Sequence, residues 1–272
     1  MRIATVSLDQ KWEDKEANRL QCLRFLKQAA KDHADLVVFP EMTLTGFSMD
    51  VDAIAEPSDN LSTLDWFCSQ AKSFGLAIVA GYVERNADGR GLNRCALVSA
   101  EGIPLCIYTK VHPFSLTKED SFFAPGDILG TCRFNGVDVG LAICYDLRFP
   151  ELFQLLSKRC HLIITIANWP ASRVLHWNIL LQARAIENQV FMVGVNRTGT
   201  TPEGLDHIYS SAIHDPMGAQ VTPLRQEGPY AICVIDPDVV TDVRNMYAVK
   251  PDRREQWYRD QGLMIASDDR NG

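Results

Sequence analysis

Three reactive side chains share one kind of local setting in this sequence. Glu41 follows the apolar run LVVFP, Lys110 follows LCIYT, and Cys144 ends VGLAI. In each case a carboxylate, an ammonium or a thiol stands where a strand-like run emerges into a loop. In layered α/β folds such ends commonly meet in one crevice, and functional groups concentrate there. A thiol, a carboxylate and an ammonium together can perform acyl transfer. The thiol attacks a carbonyl, the carboxylate takes its proton and returns it to a leaving amine, and the ammonium holds the oxyanion. No histidine is needed in that scheme. Each residue also has a plain reading: a Glu after Pro caps a turn, a strand-end Lys is solvated, and a Cys in an apolar run is a small buried hydrophobe. The coincidence of all three is what points to chemistry.

Cys144 lies in ICYDLRFPELF, where Pro150 suits the first position of a helix, so a helix is expected just beyond the thiol. A helix N-terminus and a nearby ammonium would favour the thiolate. The strand-to-helix turn would leave the Tyr145 backbone N–H free to face a developing oxyanion. The other seven cysteines (Cys22, Cys68, Cys95, Cys106, Cys132, Cys160 and Cys233) form no C-x-x-C and have no His at zinc-site spacing. Neither a metal site nor a disulfide framework is expected from them.

These residues need a scaffold, and the chain is long enough to build one. It has 272 residues, 46% of them hydrophobic, with a formal net charge of −7. A chain of this size buries roughly 70–75% of its unfolded surface. An acidic balance without a block of Lys and Arg argues against a nucleic-acid or anionic-membrane binder. No apolar run approaches the ~20 residues that span a bilayer, and MRIATVSLDQ enters strand-like alternation with no apolar signal core. The expectation is a soluble, cytoplasmic protein.

Short β-branched runs alternate with amphipathic helices along the chain. Strands are expected at 3–8, 35–41, LAIVAGYVE, NRCALVSA, IPLCIYTK, VDVGLAICYD, HLIITIA, QVFMVGVN, and near 208–214, 219–224 and 230–235. Helices are expected at about 15–33, with Leu20, Leu23, Leu26 and Ala30 on one face, and at about 61–74, 150–158 and 173–188. Gly75 reads as a helix cap, Asn135-Gly136 as a two-residue hairpin, and Asp215-Pro-Met-Gly218 as a tight turn. The pattern implies α+β or layered α/β architecture in one domain, 1–272. Its core runs over about 2–250, and the polar residues 251–272 lie along the surface or an interface.

FPEMTLTGF, YTKVHPF and GLAICYDLRFPELF resemble the Glu, Lys and Cys segments of the nitrilase, or carbon–nitrogen hydrolase, superfamily, and the similarity extends from residue 2 to about 250. The resemblance implies a four-layer αββα sandwich, usually paired through helices into a homodimer or higher homo-oligomer. It implies Cys144 as nucleophile, Glu41 as general base, and Lys110 with the Tyr145 N–H as oxyanion donors. A second acidic residue of such sites would fall at Glu119, against the plain reading of a surface loop charge. His112-Pro113-Phe114 has Pro where relatives commonly have Leu, which puts the loop carrying Glu119 in question. ANWPASRVLHWNILLQARAIENQ followed by VGVNRTG resembles the bacterial ω-amidase-like branch. There Trp169 would line the pocket or fill the core. Arg173 and His176 would meet a substrate carboxylate or face solvent, and Arg184 and Glu187 would hold the scaffold.

The implied reaction is hydrolysis of a small linear carboxamide to carboxylate and ammonia through a thioester, with no metal or organic cofactor. The branch points to 2-oxoglutaramate or 2-oxosuccinamate. Deaminated glutathione, an N-carbamoyl amino acid, an aliphatic amide and a nitrile are the rivals within the class, and a catalytically idle binding or scaffold protein of the same fold is the rival outside it. The partner is a small-molecule amide, not a nucleic acid or a membrane. A dinucleotide-binding domain is disfavoured because no G-x-G-x-x-G follows the first strand.

Overall fold

A computed structural model describes residues 1–262. The first half runs β1 (Arg2–Val6), α1 (Lys15–Lys31), β2 (Leu36–Val38), α2 (Val51–Ile54), β3 (Glu56–Pro57), α3 (Ser62–Phe74), β4 (Ala77–Arg85), β5 (Gly91–Val98), β6 (Pro104–Thr109) and the one-turn α4 (Glu119–Phe122). The second half runs β7 (Gly130–Phe134), β8 (Val137–Ile143), α5 (Pro150–Ser157), β9 (Leu162–Ala167), α6 (Val174–Asn188), β10 (Phe191–Asn196), β11 (Gly199–Thr200), β12 (Asp206–His207), β13 (Ala212–His214), β14 (Arg225–Glu227), β15 (Tyr230–Val234), α7 (Val239–Met246) and α8 (Glu255–Asp260).

Two large sheets stack between two helical layers, as the α+β sandwich reading requires. The first has strand order β14-β15-β1-β2-β4-β5-β6 and the second β13-β10-β9-β8-β7. Side chains alternate across the first sheet with the period of two that strands impose. Ile3, Leu36, Val38 and Val79 face inward against Val139, Leu141 and Ile164 of the second sheet. Ala4, Val37, Ile78 and Ala80 face outward against Cys22, Leu26, Leu64 and Phe67 of α1 and α3. On the far side α6 lies close on β10. A Cβ at Gly194 would stand 2.3 Å from the Leu181 side chain, so a larger residue there would force Leu181 of α6 to shift. The last strands return to the first: β15 pairs antiparallel with β1, Ile3 opposite Cys233.

The turn chemistry follows the sequence closely. Asn135 and Gly136 carry φ of 47° and 79°, both positive, as a hairpin turn of the primed type requires. Gly75 caps α3 in the left-handed region with φ 63°. Three expectations are corrected. Leu20 is 66% exposed, while Asn18, Cys22, Leu26 and Ala29 form the buried stripe of α1. Asn18 holds its buried place by bonding the Lys11 N–H and the Lys11 and Leu44 carbonyls, at 2.7–2.8 Å. That satisfies its amide and turns the helix away from the leucine pattern. Residues 219–224 are not a strand but the crossover between the sheets; Val221 N–H still reaches the Ile213 carbonyl, and Leu224 N–H already reaches Ile232 in the other sheet. Finally, α5 does not follow Cys144 directly. A 3-10 segment, Cys144–Arg148, intervenes. Of the polar C-terminal stretch, Arg253 reaches Gln154 of α5 at 2.9 Å, and residues 263–272 lie outside the described residues.

All eight cysteines are free. Burial raises the thiols of Cys22 and Cys95 well above their ordinary value, and moves Cys160 to about 12 and Cys233 to about 11. Unfolded thiols ionise near 9, so above that pH the unfolded chain loses protons that the folded chain keeps. Stability is therefore full below about pH 9 and falls as pH rises toward 11, by at most about tenfold in the folding equilibrium per unit for each such thiol. Urea unfolding under reducing conditions should show a lower midpoint at pH 10 than at pH 7.5. An unchanged midpoint would refute this account.

Candidate active site

The first sheet supplies two of the three reactive groups and the second supplies the third. Glu41 follows β2 by way of Phe39 and Pro40 and is fully buried. Its backbone turns tightly against β4: a Cβ at Gly81 would lie 2.4 Å from the Met42 nitrogen, so no larger residue fits there. Lys110 leaves the end of β6 and is 1% exposed. Its Nζ donates to Glu41 Oε1 at 3.0 Å and to Glu119 Oε2 at 2.8 Å. Glu119, the first residue of α4, is buried rather than a surface loop charge, and its Oε2 also accepts from the Phe114 N–H at 2.6 Å. Pro113 has not displaced this loop from the site.

Asn93 completes the cluster. Its Nδ2 donates to Glu41 Oε1 at 2.8 Å and Glu119 Oε1 at 3.0 Å, bridging the two carboxylates. Nothing in GLNRCALV marked Asn93 beforehand except a polar residue inside an apolar strand. Asn168, just past β9, ties the second sheet to the same carboxylate. Its N–H reaches Glu41 Oε2 at 2.9 Å, and its Nδ2 reaches the Glu41 carbonyl at 2.7 Å.

Cys144 sits at the end of β8 with φ 47°, a left-handed conformation that non-glycine residues rarely adopt. It opens the 3-10 segment, so the Tyr145 N–H falls in a first turn, where N–H groups lack partners within the helix. Burial pushes the Cys144 thiol well above its ordinary value, the Glu41 charge adds to this, and Lys110 offsets it only in part. The net direction is opposite to the expected favouring of the thiolate by the ammonium. Two carboxylates against one ammonium leave the surroundings with an excess of negative charge, which disfavours a third anion. Burial alone would lower the Lys110 ammonium, but Glu119 and Glu41 outweigh it and hold it well above its usual range.

Cys144 opens onto a cavity of about 460 Å³, whose lining includes Trp169, Tyr145, Phe114, Arg148 and Arg173. Trp169 combines the two placements considered for it. It lines the cavity, yet it is nearly buried, with Nε1 on the Arg173 carbonyl at 2.8 Å and its ring 5.5 Å from Trp177. The Arg173 guanidinium lies over Phe114 at 5.6 Å and that of Arg148 over Trp169 at 4.8 Å. Neither makes a carboxylate ion pair among the described residues. His176 is not part of the lining; it is exposed, with Nδ1 3.3 Å from Arg148 Nη2. Arg148, which the sequence reading passed over, takes the place beside Arg173 because the 3-10 segment carries it round from Cys144. Arg184 bonds the Leu147 carbonyl at 2.8 Å and Glu187 at 3.0 Å, holding α6 against that segment. Among the described residues no group of three or more His, Cys, Asp or Glu is arranged to hold a metal ion.

The chain is similar to several known proteins. A 2-oxoglutaramate amidase of Bacillus subtilis is 32% identical over 246 residues, covering 90% of this chain and 94% of that protein. An omega-amidase of Escherichia coli K12, YafV, is 34% identical over 184 residues, 68% of this chain and 70% of its own length. Among solved structures, a CN-hydrolase superfamily protein of Xanthomonas campestris with an arsenic adduct in its active site superimposes with a TM-score of 0.83 at 28% identity, covering 91% of this chain and 94% of that one. The family model for carbon-nitrogen hydrolases matches residues 2–245, and the chain belongs to that family.

Proposed function

We propose that the protein is an ω-amidase that hydrolyses the terminal amide of a 2-oxo dicarboxylic acid, 2-oxoglutaramate or 2-oxosuccinamate. The observation that carries this reading is the buried Glu41–Lys110 pair beside Cys144, under a cavity bearing two guanidinium groups that have no carboxylate partner among the described residues. The names of the two relatives support the choice of substrate.

In the proposed reaction Cys144 Sγ attacks the amide carbon while Glu41 takes the thiol proton. Because the resting thiol is neutral, this transfer accompanies attack. The oxyanion is held by the Lys110 ammonium and the Tyr145 N–H. As the tetrahedral centre collapses, the C–N bond breaks and Glu41 returns its proton to the departing ammonia, leaving a thioester. Glu41 then takes a proton from water, the hydroxyl adds to the thioester carbon, and the carboxylate leaves as Cys144 regains a proton. Positioned proton transfer supplies typically ~10²–10⁴-fold, and one oxyanion donor ~10²–10³-fold. Glu119 and Asn93 keep Lys110 and Glu41 in register. The far carboxylate of the substrate would meet Arg148 and Arg173.

A homodimer belongs to the same proposal. Leu175, Ile179 and Ile186 are exposed along one face of α6, at the spacing of a helix stripe, and this apolar face suits a second copy. Eight free thiols suit a reducing compartment, and the proposal includes the cytoplasm.

Ammonia release from 2-oxoglutaramate should be rapid in the wild type and absent in Cys144→Ala. Glu41→Gln should lower kcat at least about a hundredfold while keeping the fold, since Lys110 retains Glu119. A fully active Cys144→Ala would discard the mechanism, whereas an inactive wild type would redirect the search to carbamoyl compounds, neutral amides and nitriles. Arg173→Ala should raise KM for 2-oxoglutaramate about tenfold or more and leave hydrolysis of a neutral aliphatic amide nearly unchanged; equal losses on both would remove Arg173 from carboxylate recognition. Sedimentation should find a dimer that Ile179→Glu weakens, and a wild-type monomer at micromolar concentration would sink that part.

A further inference from the structure

Asp146 stands two residues beyond the nucleophile, and no step above uses it. Its carboxylate is fully buried, yet it takes no part in the Glu41–Lys110–Glu119 cluster. Oδ2 accepts from the Ile143 N–H at 2.9 Å and from the Tyr108 hydroxyl at 2.8 Å. Oδ1 accepts from the His112 backbone N–H at 3.1 Å and lies 2.8 Å from His112 Nδ1. The Tyr108 hydroxyl accepts in turn from the Val111 N–H at 3.3 Å. The His112 ring is stacked on Phe149, with centroids 3.8 Å apart and planes 10° from parallel.

The partners fall in a telling pattern along the chain. Ile143 and Asp146 bracket Cys144, while Tyr108 and His112 bracket Lys110. Cys144 belongs to the second sheet and Lys110 to the end of the first, so one carboxylate links the two backbones on either side of both reactive residues. The packing between the sheets is largely apolar, with Asn168 making a second polar link across them, to Glu41. Apolar packing is non-directional and holds layers together without setting their register. Four donors converging on one side chain do set it. Only an acceptor on both oxygens satisfies all four, because an amide would set its NH₂ against a donor.

We infer that Asp146 is a positioning residue for the reaction. With Tyr108 and His112 it sets the Lys110 strand end against the Cys144 elbow, and so fixes where the ammonium stands relative to the oxyanion that forms on the sulfur-bound carbon. Misplacement of a reacting group by about 1 Å can cost ~10²-fold in rate. The inference rests on the assignment of Cys144 and Lys110 given above.

The test compares Tyr108→Phe, His112→Ala, His112→Asn and Asp146→Asn with the wild type, by steady-state hydrolysis of 2-oxoglutaramate and by iodoacetamide labelling of Cys144. Tyr108→Phe and His112→Ala should each lower kcat about tenfold with KM within about twofold, and Asp146→Asn should lower it about a hundredfold. His112→Asn keeps a side-chain N–H where Nδ1 stood and should restore most of the activity lost in His112→Ala. Thermal unfolding is followed alongside. Native kcat in both Tyr108→Phe and His112→Ala would overturn the inference, as would losses that His112→Asn does not restore and that track a lowered melting temperature. Labelling needs no substrate. If the wild type released no ammonia, slower labelling in the variants would still support the positioning role and fault only the substrate assignment, and unchanged labelling would overturn the role itself.

Discussion

The Lys110 ammonium buried between two carboxylates is the interaction on which the rest of the site depends. A lone buried charge of either sign would be too costly to keep, and three charges in contact are tolerable only with good geometry and every remaining lone pair satisfied. Here Asn93 bridges the two carboxylates, Phe114 N–H occupies Glu119 Oε2, and Asn168 N–H occupies Glu41 Oε2. The cluster thus draws in β2, β5, β6, α4 and the loop after β9. Removing Lys110 would leave two buried carboxylates facing each other, so the ammonium is what allows the cluster to form.

That same cluster determines the protonation state of the nucleophile. A site built to deliver a ready thiolate surrounds its sulfur with cations and helix N-termini. Around Cys144 burial and the Glu41 charge both raise the thiol, and Lys110 offsets them only in part. In the proposed reaction this charge balance matters because Glu41 must take the thiol proton as attack proceeds. The positive φ of Cys144 is part of this design, since it aims the side chain into the cavity and leaves the following N–H groups outside the ladder of β8.

Much of the framework was legible one residue at a time. Asn135-Gly136, Gly75 and the alternation of apolar runs specify local geometry through φ preferences and period, which need no distant partner. Leu20 and the segment 219–224 misled for the complementary reason. Asn18 holds a core position only because three backbone groups satisfy it, and Pro223 lies in a crossover whose path depends on where the other sheet stands. The site shows the same division. Glu41, Lys110 and Cys144 are marked by residue type and by their places at strand ends, whereas Asn93, Arg148 and Asp146 acquire meaning only from what they face.

The sequence alone therefore determined the reactive groups, their strand-end settings and the layered class, because each depends on side-chain identity and short-range periodicity. The tertiary structure alone decided that burial and Glu41 raise the Cys144 thiol, that Glu119 is buried against Lys110, and that Arg148 rather than His176 joins Arg173 at the cavity. Those outcomes depend on solvent exclusion and on distances between two different sheets, and both come into being only when the layers close.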